Sequence, residues 1–376
     1  MTLRKSQPRE TEIKLINEGT FGCIFYPGLT CNGTPLKGHF VTKIQKDADA
    51  VKNEIDISQL VRTKIKGYMK HFSPIIHQCP VKINPSYVDE VKQCEVFGTM
   101  TNREIEKSRY VANKIRYVGK TNIMEYVTQR LSTHAHWGDV YKTYRYTLKS
   151  IQKLMEAKIV HFDIKYNNVL FDGVLNVPVI IDFGLSFYIP DLIKRPAQNR
   201  HVFYTYNTYT YWCVDVFICN YIFQVVTYER SKTMTVTQDE LNTLCRGFVY
   251  GTDPASTQIE NYVFRLTNME DRRLEFERQF QAFMSPFLGK TWWEVYTRLM
   301  TYWNTWDHYS LAVVYLLILD DWKTEHPERY NMAVLRERES RYIDMLQTIV
   351  YSMPDKRPGI EETLKRIERS ATLRKT

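Results

Sequence analysis

The stretch at 161–182, HFDIKYNNVLFDGVLNVPVIID, constrains the fold more than any other part of the chain. It places Asp163, Lys165 and Asn168 in one short polar segment, and two apolar runs joined by Asp-Gly lead from there to Asp182. Asp-Gly between such runs predicts a β-hairpin. A carboxylate at the end of a buried strand costs free energy unless a cation or a donor satisfies it. The segment is therefore either a reactive loop with oxygens for a cation such as Mg²⁺, or only a polar turn before a strand.

Hydrophobic periodicity divides the chain into a β-rich first third and a mainly helical remainder. Glycine and proline separate short apolar runs early in the chain, which predicts strands, whereas apolar positions at helical spacing predict helices. The predicted elements are strands within 11–45, a helix at 50–66, strand-like pieces within 74–127 that end in NIMEYV, a helix at 137–158, and mainly helix after 212. The polar region 230–290 gives no clear pattern. The chain is therefore expected to be α+β.

Composition excludes several classes of protein. The formal net charge is +9 over 376 residues, but the charge forms no long block and no nucleic-acid motif accompanies it, so nucleic-acid binding is not expected. The longest apolar run, LAVVYLLIL at 311–319, is too short to span a bilayer and predicts a buried helix. The seven cysteines show no CxxC spacing and the N-terminus has no apolar leader, so free thiols and a cytoplasmic location are expected.

Two further features could contact a phosphate group. Gly19 and Gly22 flank Thr20-Phe21 between two strand-like runs, and glycine lets backbone N–H groups approach phosphate oxygens. A plain hairpin turn explains the same glycines. Lys43 lies in a predicted strand, and Glu54 lies in the helix that follows. As a pair they would hold an ammonium group beside a phosphate, and otherwise they are two unrelated surface charges.

Taken together and in order, these pieces resemble the eukaryotic-type protein kinase superfamily. The pieces that carry the resemblance are NEGTFGCI, VTKI, NEIDI, IMEYV, HFDIKYNNVLF and IIDFGLS. The resemblance implies a bilobal fold, with a small β-rich N-lobe that has one main helix and a large, mainly helical C-lobe. It divides the chain into an N-terminal extension (1–12), an N-lobe through the hinge (13–127), and a C-lobe (128–376) with an insertion at 216–304. YTYW before that insertion and TWDHYSLA after it resemble serine/threonine kinases of nucleocytoplasmic large DNA viruses.

The resemblance also implies ATP and Mg²⁺ as cofactors and assigns roles to residues. Asp163 would orient and deprotonate an acceptor hydroxyl, Lys165 would neutralise the moving phosphoryl group, and Asn168 and Asp182 would bind Mg²⁺. Lys43, paired with Glu54 rather than Asp56, would contact the phosphates. The remaining nucleotide-contacting residues are the loop Gly19, Thr20, Phe21 and Gly22, the adenine-covering Ile16 and Ile24, Met124 at the back of the pocket, and Glu125 and Val127 at the hinge.

Later pieces of the chain add structural expectations from the same resemblance. Asp307 would begin the central helix and accept hydrogen bonds from the backbone of the catalytic loop, although Asp215 in CVDVFICNY is an alternative start for that helix. Arg357 would form a buried ion pair, for which Asp215 is the candidate partner. Phe162 replaces the arginine common before the catalytic aspartate, so activity should depend less on phosphorylation of the activation segment.

The function implied is transfer of the ATP γ-phosphoryl group to serine or threonine hydroxyls of proteins, in a host cytoplasm or a virion if the protein is viral. Lys165, two positions after Asp163, is the arrangement of serine/threonine kinases. A pseudokinase scaffold is the alternative, and the retained Lys43, Asp163, Asn168 and Asp182 argue against it. A small-molecule kinase on the same fold is a further alternative.

Overall fold

The chain forms two compact units in a computed structural model. The structure describes residues 13–19, 22–46, 49–84, 87–107, 109–134, 137–251, 262–264, 273–327 and 337–372. The first unit contains the described residues up to Gly119 together with Ile181–Gly184, and the second contains Lys120–Ile180 and the described residues from Leu185 onward. The short segment that carries Asp182 thus belongs to the first unit, although the chain on both sides of it belongs to the second. The expected lobe boundary after residue 127 stays a prediction.

The first unit is built on an antiparallel sheet. The strands of this unit are β1 (Lys14–Gly19), β2 (Gly22–Tyr26), β3 (Phe40–Lys46), β4 (Phe72–Ser73), β5 (Ile75–Val81) and β6 (Tyr110–Arg116), and all but β4 belong to its five-stranded sheet. The five-stranded sheet has the order β1-β2-β3-β6-β5. Lys43 on β3 pairs with Ile24 on β2 and with Asn113 on β6, so it stands on the central strand. A central strand is held on both edges, which fixes the position of this lysine.

Four helices accompany the sheet in the described part of this unit: α1 (Asp49–Lys64), α2 (Val88–Lys92), α3 (Glu95–Gly98) and α4 (Asn102–Lys107). The side chain of Ser58 on α1 accepts a hydrogen bond from the Ile75 amide at 3.1 Å, and the Arg62 guanidinium donates to the Ile76 carbonyl. These bonds tie α1 to strand β5. The strands predicted within 11–45 and the helix predicted at 50–66 are confirmed, but the span 74–127, expected to be strand-like, also contains helices α2, α3 and α4.

The cysteines of the first unit are paired, which corrects the free-thiol prediction. Cys23 is bonded to Cys94 and Cys31 to Cys79, with Cα–Cα distances of 6.1 and 5.7 Å, within the normal range for disulfides. Sequence spacing concealed these pairs because the partners stand 71 and 48 positions apart. The cysteines at 213, 219 and 245 in the second unit are free, as expected.

The second unit is mainly helical. Its helices are α5 (Ile123–His134), α6 (Trp137–Glu156), α7 (Ile189–Lys194), α8 (Val214–Tyr221), α9 (Gln238–Tyr250), α10 (Arg273–Met284), α11 (Trp292–Leu299), α12 (Trp306–Glu325), α13 (Glu337–Tyr351) and α14 (Ile360–Thr372). Its strands are β7 (Ile159–Val160), β8 (Val169–Asp172), β9 (Val177–Ile181) and β10 (Phe187–Tyr188). Strands β8 and β9 form the predicted hairpin, in which the Asp172 side chain accepts the amides of Val174 and Leu175.

Helix α12 is the core of the second unit. It is apolar on nearly all sides, and LAVVYLLIL lies within it, so the predicted buried helix is confirmed. A helix that is hydrophobic all round is expected in the interior of a large protein. No helix in the described part of the chain is both long enough and apolar enough to cross a membrane.

Two segments of the second unit differ from the sequence-based expectation. Residues 123–127 were expected as a strand, but they begin helix α5. The region 230–290, which showed no clear periodicity, contains α9 and α10. Helix α9 begins with a capping box, in which Thr237 and Glu240 bond each other's backbone amides. The sequence Thr-x-x-Glu carries this signal, so the start of α9 could have been predicted.

Candidate active site

Three predicted residues meet in the first unit. The Lys43 ammonium group donates to Glu54 Oε2 at 3.0 Å and to Asp182 Oδ1 at 3.2 Å. Lys43 and Glu54 are almost fully buried, whereas 44% of the Asp182 side chain is exposed. The Lys43–Glu54 ion pair is therefore confirmed as a contact, and the reading as two unrelated surface charges is wrong. Folding brings Asp182 to Lys43 from 139 positions away.

Burial and charge oppose each other at this lysine. Burial by itself lowers the pKa of Lys43, but the carboxylates of Asp182 and Glu54 outweigh it, so the pKa is raised above its ordinary value. Lys43 therefore stays positively charged at neutral pH. Its charge compensates two carboxylates, one buried and one with access to solvent. A cation near Asp182 would find a carboxylate that still has accessible surface.

The backbone around Asp182 has an unusual conformation. Asp182 has a φ of 61°, in the left-handed region that non-glycine residues seldom adopt. The Gly184 amide donates to Asp182 Oδ1 at 3.3 Å, and a Cβ on Gly184 would come equally close to that oxygen. Phe183 packs edge-on against Phe72, with ring centroids 6.1 Å apart. Packing and the glycine thus hold a strained aspartate in place, as is common at functional sites.

The glycine turn lies at the end of the β1–β2 ladder, where Gly19 pairs with Gly22. Thr20 and Phe21, expected to contact phosphate, lie outside the described residues. A side chain at Gly22 would collide with the backbone carbonyl of Ile44 on β3, so close strand packing also requires this glycine. Ile24 is half-buried opposite Lys43, and Ile16 is half-buried where the β1–β2 register shifts.

A second cluster surrounds Asp163 in the second unit. Asp163 Oδ2 forms an ion pair with Lys165 Nζ at 2.9 Å and accepts a hydrogen bond from Asn168 Nδ2 at 2.8 Å. The Asn168 amide nitrogen also donates to the Asp163 carbonyl at 2.9 Å. Asp163 Oδ1 accepts a hydrogen bond from the Tyr209 hydroxyl at 3.1 Å. Because the Asn168 nitrogen is bound to Asp163, its amide oxygen is the atom it can offer to a hard cation such as Mg²⁺.

The loop that carries Asp163 is supported from α12. Asp307 accepts the backbone N–H of His161 at 2.7 Å and that of Phe162 at 2.8 Å, which confirms the predicted role of Asp307. Phe162 has a φ of 67°, and Trp212 Nε1 donates to its carbonyl at 2.9 Å. A bulky residue with a positive φ is a backbone outlier. Three hydrogen bonds to the loop therefore stabilise a strained residue directly before Asp163.

The second unit also contains the predicted buried ion pair. Arg357 Nη2 lies 2.9 Å from Asp215 Oδ1, and both side chains are excluded from solvent. Arg357 donates further to Thr305 Oγ1 at 2.8 Å, and Trp306 Nε1 donates to Asp215. The expected Arg357–Asp215 pairing is confirmed. Asp215 does lie in the first turn of α8, but Asp307 is the residue that bonds the loop, as preferred from the sequence.

The predicted hinge residues have a different structure from the one expected. Asn122 and Glu125 bond each other's backbone amides at 3.1 and 3.0 Å, an arrangement that begins helix α5. Val127 is fully buried within that helix, which also contains Met124. The prediction of a strand that presents Met124, Glu125 and Val127 to an adenine ring is therefore wrong. The Asn-x-x-Glu pattern at 122–125 is typical of a helix start and could have predicted this helix.

Sequence reasoning missed two residues that contact this loop, Tyr209 and Trp212. Both lie in the aromatic-rich segment YTYNTYTYW at 204–212. Their importance follows from the hydrogen bonds to Asp163 and to Phe162. An aromatic-rich composition could indicate packing, but it could not indicate which residue the hydroxyl contacts.

Comparison with known proteins gives a weak but consistent result. No family model matches the chain. The chain is similar to the cysteine-rich receptor-like protein kinase 10 of Oryza sativa subsp. japonica, at 26% identity over 188 residues. The match covers 49% of the chain and spans only 24% of the length of that relative. It indicates a kinase-like relationship at most.

Proposed function

We propose that the chain is an ATP-dependent protein kinase that transfers the γ-phosphoryl group to serine or threonine hydroxyls of protein substrates. The observation that carries the proposal is the Lys43 ammonium group between Glu54 and Asp182, at 3.0 and 3.2 Å. A lysine oriented by a buried glutamate and placed beside a metal-binding aspartate is the arrangement that positions ATP phosphates in protein kinases. The similarity to a plant protein kinase supports the same reading.

The two clusters divide the chemistry between them. Lys43 would neutralise phosphate oxygens, and Asn168 and Asp182 would supply oxygens to Mg²⁺, an ion that offsets charge on the phosphates. Asp163 would accept the proton of the acceptor hydroxyl while the oxygen of that hydroxyl forms a bond to the γ-phosphorus. The bond from that phosphorus to the β–γ bridging oxygen would break, and ADP would leave. Lys165, 2.9 Å from Asp163, would stabilise the charge on the transferred group.

The finer assignments rest on sequence resemblance. Lys165, two residues after Asp163, supports serine or threonine as the acceptor. The resemblance to kinases of large DNA viruses supports a viral source, with the host cytoplasm or the virion as the site of action. The departure at Phe162 supports activity without phosphorylation of the activation segment, because its neighbours are aromatic rings such as Trp212, with centroids 4.9 Å apart.

A phosphate-transfer assay tests the proposal. The full chain is incubated with Mg²⁺ and ATP labelled in the γ-phosphate, with a basic and an acidic protein as separate acceptors, and the product is hydrolysed for phosphoamino-acid analysis. Labelled phosphoserine or phosphothreonine is expected. Asp163→Asn and Asp182→Asn are the matched controls, since each exchanges one carboxylate for an amide of the same shape.

Other outcomes point to other functions. If wild type and both variants are equally inert at saturating Mg²⁺ and ATP while a fluorescent ATP analogue still binds, the chain is a pseudokinase scaffold. If label passes to sugars or aminoglycosides but to neither protein, the acceptor class is wrong. Labelled phosphotyrosine alone would refute the serine/threonine assignment.

A further inference from the structure

The Tyr209 hydroxyl bonds one carboxylate oxygen of Asp163, and different groups contact the other oxygen. Lys165 Nζ forms an ion pair with Oδ2 at 2.9 Å, and Asn168 Nδ2 donates a hydrogen bond to it at 2.8 Å. Tyr209 donates to Oδ1 at 3.1 Å, and no other described residue donates a hydrogen bond to Oδ1. An acceptor hydroxyl that gives its proton to Asp163 must come within hydrogen-bond distance of one of these oxygens. Oδ2 already has the Lys165 ammonium group and the Asn168 amide as partners, so Oδ1 is the oxygen open to exchange.

The tyrosine is held there by its own segment. The Tyr209 ring packs edge-on against Trp212, with centroids 5.1 Å apart, and at a tilted angle against Tyr211, with centroids 5.3 Å apart. The Trp212 amide donates to the Tyr209 carbonyl at 2.8 Å, and its indole N–H bonds the Phe162 carbonyl. The neighbouring Thr208 hydroxyl donates to the Gly247 carbonyl at 2.9 Å. The contact between Tyr209 and Asp163 is thus part of an ordered arrangement.

The electrostatics keep the tyrosine hydroxyl in its donor form. Burial and then the neighbouring Asp163 carboxylate both raise the pKa of Tyr209 above its ordinary value. The phenol therefore stays protonated over the physiological pH range. A protonated hydroxyl on an ionised carboxylate is a charge-assisted hydrogen bond, which is stronger than a neutral one.

We propose that Tyr209 is an autoinhibitory gate, whose hydroxyl occupies the place on Asp163 Oδ1 that the acceptor hydroxyl of a protein substrate must take. The gate rests on the proposed kinase function. A serine or threonine hydroxyl has to displace the phenol before its oxygen attacks the phosphorus. Displacement costs the charge-assisted hydrogen bond, so the gate raises the KM for the acceptor. No bond to Tyr209 is made or broken in the reaction.

The test compares Tyr209→Phe with wild type in steady-state kinetics on one acceptor protein. Phenylalanine keeps the ring and its contacts with Trp212 but loses the hydroxyl. We expect kcat/KM to rise about tenfold through a lower KM, which corresponds to about 1.4 kcal/mol. Tyr204→Phe is the matched control, because Tyr204 lies near Asp163 and packs against Trp212 at 5.9 Å, yet it is half exposed and its hydroxyl does not bond Asp163 in the described structure. Its kinetics should match wild type.

The remaining outcomes overturn the gate. A fall in kcat/KM for Tyr209→Phe would make Tyr209 a positioning residue for Asp163, and equal rates would mean that the contact does not limit substrate entry. Phosphate found on Tyr209 of the wild-type chain would make it an acceptor. A loss of thermal stability in Tyr209→Phe with kcat/KM unchanged would identify a purely structural role.

Failure of the gate can be told apart from failure of the kinase function. If wild type is active and Tyr209→Phe is no faster, the gate fails and the kinase remains. If wild type, Tyr209→Phe and Asp163→Asn all transfer no phosphate, the kinase function fails and the gate fails with it. Activity that appears only in Tyr209→Phe would support both proposals.

Discussion

Two buried basic groups differ in the solvent exposure of the carboxylates that they bind. Arg357 and Asp215 in the second unit are both excluded from solvent and are further bonded by Thr305 and Trp306. Lys43 in the first unit is equally buried, but one of its two carboxylates, Asp182, is nearly half exposed. Both Asp215 oxygens accept hydrogen bonds from protein groups, so the carboxylate of the arginine pair is not accessible to a ligand. The lysine cluster instead keeps one carboxylate accessible to a ligand.

This difference predicts opposite consequences of mutation. Removing one partner of a fully buried ion pair destabilises the fold, because the other is left as an uncompensated buried charge. A carboxylate that remains accessible can bind a cation, so its loss should affect activity more than folding. The predictions below use this contrast.

The largest expected effect is on activity, at Asp182. If the proposed kinase function holds, Asp182→Asn should lower kcat of phosphate transfer by at least about a thousandfold, or about 4 kcal/mol, because Mg²⁺ would lose a charged ligand. The free energy of unfolding should change by less than about 1 kcal/mol, since the side chain is nearly half exposed. Transfer kinetics and urea unfolding of the same preparations measure both. A variant that retained wild-type kcat would break the contrast.

The next effect is on stability, at Arg357. Arg357→Met should destabilise the chain by about 3–5 kcal/mol, because Asp215 is left as an unpaired buried charge. The double variant Arg357→Met/Asp215→Leu should recover much of that loss, since no charge then remains buried. Urea unfolding of the three proteins measures the coupling. If the single variant unfolds like wild type, the pair is not structural.

The third effect distinguishes the two units by their cysteines. Reduction should lower the stability of the first unit by about 2–4 kcal/mol for each disulfide, because each one constrains the unfolded chain, and should leave the second unit unchanged, since Cys213, Cys219 and Cys245 are already free. Hydrogen exchange with and without reductant resolves the two units. Under non-reducing denaturing conditions, thiol titration should find the three thiols of these cysteines, whereas seven would refute both disulfides.

The smallest effect is a pH dependence at His308, which lies beside the arginine pair. Burial and then Arg357 lower the pKa of His308 to about 3. In the unfolded state His308 has an ordinary pKa of about 6.5, so it is protonated below that pH, whereas in the folded state it stays neutral down to about pH 3. Stability therefore falls as the pH falls from about 6.5 towards 3. Between pH 7 and pH 5 this group should cost about 2 kcal/mol.

Urea unfolding at the two pH values measures this cost. His308→Gln is the control, because it keeps a polar side chain of similar length but cannot be protonated. Its stability should depend less on pH by the same amount. An unchanged dependence would show that other groups set the acid response of the second unit.

Local sequence patterns anticipated much of the fold and part of the site. Apolar periodicity predicted α1 and α6, a continuous apolar run predicted α12, and Asp-Gly predicted the β8–β9 hairpin, since each signal comes from residues that are neighbours in sequence. Patterning failed at 123–127, where a short apolar run suits either a strand or a helix. The Asn122–Glu125 cap decided for helix.

The sequence by itself determined which chemical groups the chain can bring to a site: Lys43, Glu54, Asp163, Lys165, Asn168 and Asp182, each in a recognisable local setting. Only the tertiary structure decided which of these groups meet. It paired Lys43 with Asp182 across 139 positions, bonded Cys23 to Cys94, and placed the Tyr209 hydroxyl on Asp163. The physical reason is that residue spacing encodes contacts within one element, whereas contacts between distant elements depend on how whole surfaces pack.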